Sequence, residues 1–179
     1  MREGNRAAVA VAAVAAGVLL AGCGVRPTGV VDGGQSAGGL TKGLRLYFVS
    51  QAGRLEAVAR PDVPLETFAE PVNVLKLLGQ GPTQAERAAG LSTLVGADYY
   101  YGDYDVTVRA GRITVDVPLP QLDELSVQDR NLVGQLVCSM ARAQAVLDVS
   151  GTKRTDDVPM TVRPQEGDPA TYVCSDFLT

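Results

Sequence analysis

Residues 106–117 read VTVRAGRITVDV and residues 126–140 read SVQDRNLVGQLVCSM. The first stretch has period two. Val106 and Val108, then Ile113, Val115 and Val117, alternate with polar neighbours on either side of Ala110-Gly111, which predicts a β-hairpin. Pro118 and Pro120 close its second strand. The second stretch has the helical period. Ser126 is an N-cap candidate with Asp129 in the first turn, where an acid favours the helix dipole. Val127, Leu132, Val133, Leu136, Val137 and Met140 form the apolar side of that helix, with Cys138 near it.

Toward the N-terminus, Thr67 to Leu78 places Phe68, Val72, Leu75 and Leu78 at steps of three and four, which predicts a second helix. Pro71 is tolerated only in a first turn, so the regular helix is expected to begin there and to stop at Gly79 and Gly81-Pro82. Thr83 can cap a short helical piece through Ala89. Before this, Leu44, Leu46 and Phe48 alternate with Arg45, Tyr47 and Val49, and Leu55 to Ala59 returns after Gln51-Ala52-Gly53. These read as two strands, the second ended by Arg60-Pro61. Toward the C-terminus, Val146 to Val149 reads as a strand ended by Ser150-Gly151, and Val158 to Val162 as a further one. The order predicts an α+β domain, with two main helices packed on one face of a largely antiparallel sheet.

The first residues have another character. Arg2 and Arg6 precede an apolar run from Ala7 to Leu20, and Leu20-Ala21-Gly22 stands directly before Cys23. This is the order of a secretory signal, and the run is shorter than the roughly 20 residues a permanent helical span needs. Leu20-Ala21-Gly22-Cys23 resembles the lipobox of bacterial lipoproteins at every position. The resemblance implies that residues 1–22 are removed and that Cys23 carries a diacylglyceryl group, with palmitate-type acyl chains. It also implies a lipid-anchored domain on the extracytoplasmic face of the cell membrane. The alternatives are an ordinary signal peptide, or a buried Ala-rich helix with a chance cysteine. Residues 24–43, rich in Gly and polar, argue against a folded domain so close to the N-terminus and read as a flexible tether with a reach of about 25 Å. The folded domain is expected to occupy residues 44–179.

Removing residues 1–22 leaves 14 of 16 basic and 19 of 20 acidic side chains, a formal net charge of about −5. An acidic chain gains nothing from neutralising phosphates, so nucleic acid is excluded as a partner class. The 179 residues contain no histidine, which removes Ser-His-Asp, Cys-His and His-metal arrangements. Cys138 and Cys174 would face an oxidising compartment and are expected to form a disulfide; two separate buried thiols are the alternative. Neither a metal nor a cofactor is expected.

The opening strand Leu44 to Val49, the step Leu77-Leu78-Gly79-Gln80-Gly81-Pro82-Thr83 and the run Gly90-Leu91-Ser92-Thr93-Leu94 follow in order. After them come the hairpin, the helix with Gln135-Leu136-Val137 and the stretch ending Val149-Ser150-Gly151. Together, over residues 44–151, they resemble the GerMN domain of spore-germination and sporulation proteins and envelope lipoproteins. The tail from Thr152 to Thr179 lies beyond that pattern. The resemblance implies a non-catalytic protein-interaction or assembly module of the cell envelope, with an envelope protein as partner. The alternative is a protein that binds wall glycan or cleaves it with carboxylates.

For cleavage, the acids nearest one another are Asp116, Asp123, Glu124 and Asp129. Asp116 alternates with inward valines and should face solvent, while the other three suit a loop and a helix start. Asp156-Asp157 is too small a set of oxygens for calcium and reads as a solvated pair. Tyr99, Tyr100, Tyr101 and Tyr104 form the candidate partner-binding cluster, since tyrosine joins an apolar body to a polar tip. Packing of Tyr100 and Tyr104 beneath the helices is the alternative.

Overall fold

In the computed structural model the described residues are 43–96, 104–110, 112–122 and 125–178, all within the unit Ala37–Thr179. The architecture is α+β. Strands β1 (Arg45–Val49) and β2 (Leu55–Ala59) form an antiparallel pair. Three helices follow, α1 (Leu65–Phe68), α2 (Pro71–Gln80) and α3 (Gln84–Ala88). Then come β3 (Asp105–Arg109), β4 (Arg112–Asp116) and the long helix α4 (Val127–Val146). Strands β5 (Met160–Arg163) and β6 (Ala170–Tyr172) complete a four-stranded sheet of order β3-β4-β5-β6.

Most sequence signals act as their chemistry requires. Pro71 occupies the first turn of α2, and Gly81 ends that helix at φ 76°. Thr83 and Glu86 form a reciprocal capping box at α3. The hairpin pairs Arg109 with Arg112 across the expected turn, where Ala110 takes φ 50°. Ser126 caps α4 by accepting from the Asp129 N–H at 3.1 Å.

Three readings are corrected. Val146 to Val149 is not a strand: α4 runs through Val146, and the chain then turns with Gly151 at φ 66°. The good helix formers Ala141, Ala143 and Ala145 are buried and carry the helix on, leaving Val149 fully in solvent. Val72 and Val127, expected on the apolar faces of their helices, are 40% and 71% exposed. Pro71, Val74, Leu75 and Leu78 form the buried face of α2, and Phe68 is buried from the separate turn α1. The expected strand at Val158 begins at Met160.

The structure also adds detail to the sheet. The strands divide into two sheets, and β4 pairs with β5 in parallel while the other neighbours are antiparallel. β1 is buried along Leu46, Tyr47, Phe48 and Val49, on both of its faces. Its even residues enter the main core with Phe68, Leu78, Leu132, Leu136 and Met160, whereas Tyr47 packs with Cys138 and Cys174.

Gly134 fixes how closely α4 approaches its neighbours. A Cβ there would stand 2.7 Å from Leu55 Cδ1 and 2.9 Å from Phe177 Cβ. Gly134→Val is therefore expected to lower stability by about 1–3 kcal/mol through overpacking, although valine has the better helix propensity. A urea midpoint equal to that of the parent would show that Phe177 yields without cost.

Candidate functional site

α4 presents two polar side chains within its buried face. Gln135 and Ser139, four residues apart on one face, are both fully buried. They meet the edge of β1 that β2 leaves open. The Tyr47 N–H donates to Ser139 Oγ at 2.9 Å, and Gln135 Nε2 donates to the Tyr47 carbonyl at 2.8 Å. The Leu94 N–H donates to Gln135 Oε1 at 2.7 Å, so one amide joins the strand to the segment after α3. The Val49 N–H and C=O pair with Ser92, both at 2.8 Å, which closes that edge at Val49. The sequence signal was two polar residues at a four-residue step among buried apolar ones. Its meaning depends on a strand some ninety positions earlier.

Cys138 and Cys174 are bonded, with their Cα atoms 4.6 Å apart and both residues buried. The bond ties α4 to the 3-10 turn Cys174–Asp176. Burial raises the neighbouring Tyr47 phenol above its ordinary pKa, with Arg142 opposing that shift. Tyr104 is 9% exposed and belongs to the main core, so it is corrected from a partner-binding residue to a packing one. Tyr99, Tyr100, Tyr101 and Cys23 lie outside the described residues.

Among the described residues each candidate acid has its own separate partner. Asp116 accepts two bonds from the Arg163 guanidinium, at 2.6 and 3.0 Å, on the solvent side of the four-stranded sheet. Asp129 holds the Ser126 hydroxyl at 2.7 Å, and Asp156 accepts from the Ser175 N–H at 2.9 Å. Asp157 is held below the usual carboxylate range chiefly by its bond from Arg154. Asp123 and Glu124 lie outside the described residues. Glu86 is held low by the Arg60 guanidinium, which meets both of its oxygens at 2.7 Å; this pair joins α3 to the end of β2. Among the described residues no three His, Cys, Asp or Glu side chains are grouped to hold a metal ion.

The solvent face of the four-stranded sheet is ordered in rows. Thr107, Thr114, Thr161 and Thr171 stand directly opposite one another across all four strands, and the last two hydroxyls are 3.4 Å apart. Arg109 and Arg112 flank this row on one side, and Asp105, Asp116 and Arg163 on the other. On the sheet's other face Ile113, Val115, Met160 and Val162 are buried, while Val108 on β3 is 52% exposed. The hairpin alone aligns Thr107 with Thr114 and its charged flanks, but Thr161, Thr171 and Arg163 join them only through the β4–β5 register. Among the described residues no helix is long and apolar enough to cross a membrane. No protein family, curated protein or solved structure matches the chain.

Proposed function

We propose that this chain is an extracytoplasmic lipoprotein, anchored through lipid on Cys23, whose GerMN-like domain is a non-catalytic protein-interaction module of the cell envelope. The threonine row carries this reading. A solvated sheet face ordinarily bears long charged side chains, and covering a Lys or Glu costs up to about 2 kcal/mol of rotamer entropy each. Threonine is β-branched and already stiff, so a partner can cover the row at a smaller cost. Arg109 and Arg112 on one flank, and Asp105 beside the Asp116–Arg163 pair on the other, give a partner a polarity to match.

The test is capture from native membranes by in-cell crosslinking of the full lipoprotein. Thr107→Lys with Thr161→Lys is expected to lose partners that the parent retains, with membrane attachment unchanged. Cys23→Ala is expected to release the protein from the membrane. An unchanged set of partners would exclude this face. Release of fragments from cell-wall material by the purified protein would favour the carboxylate-dependent reading over a module.

A further inference from the structure

The free sheet edges differ in how they are protected. β6 is three residues long and follows Pro169, and β3 has Asp105 and Arg109 at its ends. β2 is five residues, Leu55-Glu56-Ala57-Val58-Ala59, paired with β1 in unbroken register and without an internal proline or lysine. Strands of this kind are templates for a further strand.

The phase of the ladder shows which groups are open. The Ser50 N–H donates to the Arg54 carbonyl and the Arg60 N–H to the Leu44 carbonyl, both at 2.9 Å. Bonds between β1 and β2 therefore run through even-numbered pairs, and the N–H and C=O of Leu55 and Ala57 point away from β1. On β1 the corresponding positions Tyr47 and Val49 are closed by Ser139 and Gln135 and by Ser92. Among the described residues no hydrogen bond uses the outward backbone groups of Leu55 or Ala57. Beside this edge lies a groove of about 270 Å³ lined by Arg54, Leu55, Glu56, Phe177 and Leu178, with Leu178 48% exposed.

We propose that β2 accepts an extended segment of a partner protein as an added antiparallel strand. This rests on the interaction-module reading and names a second surface for it. Outward N–H and C=O groups select a main chain in extended form. The partner residue opposite Leu55 shares its face, so an apolar side chain there enters the groove against Phe177 and Leu178. Its two neighbours stand opposite Glu56 and Arg54. In the antiparallel direction the recognised core is therefore basic, apolar, acidic.

The probe is the synthetic peptide Thr-Thr-Lys-Leu-Asp-Thr-Thr, titrated to millimolar concentration against the full chain in detergent and followed by NMR. Saturable shifts and slowed hydrogen exchange are expected at the Leu55 and Ala57 amides. The charge-reversed peptide Thr-Thr-Asp-Leu-Lys-Thr-Thr is expected to bind at least tenfold more weakly. Ala57→Pro removes an N–H that the β1 ladder does not use, and Leu178→Asp alters the groove from the tail. Each is expected to weaken binding at least tenfold, so the second serves if the first does not fold. Absence of binding, binding without protection of these amides, or equal binding of the two peptides overturns the proposal. Thr107→Lys with Thr161→Lys is expected to bind the peptide as the parent does. If peptide binding fails while the threonine face still captures partners, β2 is excluded and the module reading stands; binding without such capture isolates the opposite failure.

Discussion

Replacing Cys138 and Cys174 together by alanine is expected to lower the unfolding free energy by about 4 kcal/mol, the loss of unfolded-chain entropy restriction for a closed loop of this length. The bonded residues are 36 positions apart and join α4 to the turn Cys174–Asp176. Both residues are buried beside Tyr47, so the substitution also removes packed volume. The tail keeps other ties. Arg130 donates to the Asp176 carbonyl and stacks over Phe177 at 5.3 Å, and Ser175 is held by Asp156 at 2.9 Å. Local opening is therefore expected first around residues 170–178, with α4 following only on global unfolding. Urea denaturation gives the total, and native-state hydrogen exchange its distribution. A loss below about 1 kcal/mol would mean that the unfolded chain already holds the two positions close.

What was legible in the sequence was whatever is encoded within a few residues. The hairpin at 105–116 was visible because side-chain alternation and an Ala-Gly turn are local. The start of α2 at Pro71 and the capping box at Thr83 follow from backbone chemistry within one turn. The cysteine pairing was legible for a different reason, since an export-like N-terminus and two remaining cysteines leave few partners. Errors arose where local preference met tertiary demand. Val146 to Val149 is rich in β-branched residues, but burial of the preceding alanines carries the helix through Val146. Val72 lies at helical spacing from Leu75, yet the buried face of α2 is set by Val74 and Leu78 against α4 and the core. The parallel β4–β5 pairing is non-local, and so is the threonine row that depends on it. Of the expected tyrosine surface, only Tyr104 is described, and it is part of the core. The piece of the GerMN-like pattern ending at Gly151 is a turn where a strand was expected.

Gln135→Leu tests the least sequence-visible of these features, and it is expected to cost about 3 kcal/mol. Leucine fits the volume and has a good helix propensity, so packing and helix formation are nearly preserved. What disappears is the partner of two backbone groups, the Tyr47 carbonyl and the Leu94 N–H. An unsatisfied buried polar group costs about 1–3 kcal/mol, and two are exposed to that penalty at once. Ser139→Ala removes one partner, that of the Tyr47 N–H, and is expected to cost about 1–2 kcal/mol. Both residues serve Tyr47, so the double variant should depart from additivity. Chemical denaturation of the two single variants and the double one measures this coupling, and the Leu94 amide should exchange faster in Gln135→Leu alone. If Gln135→Leu were instead neutral, water would have to reach the β1 edge. The closure of that edge by α4 would then be replaceable, and the contrast between a sealed β1 and an open β2 would rest on Ser92 and Ser139.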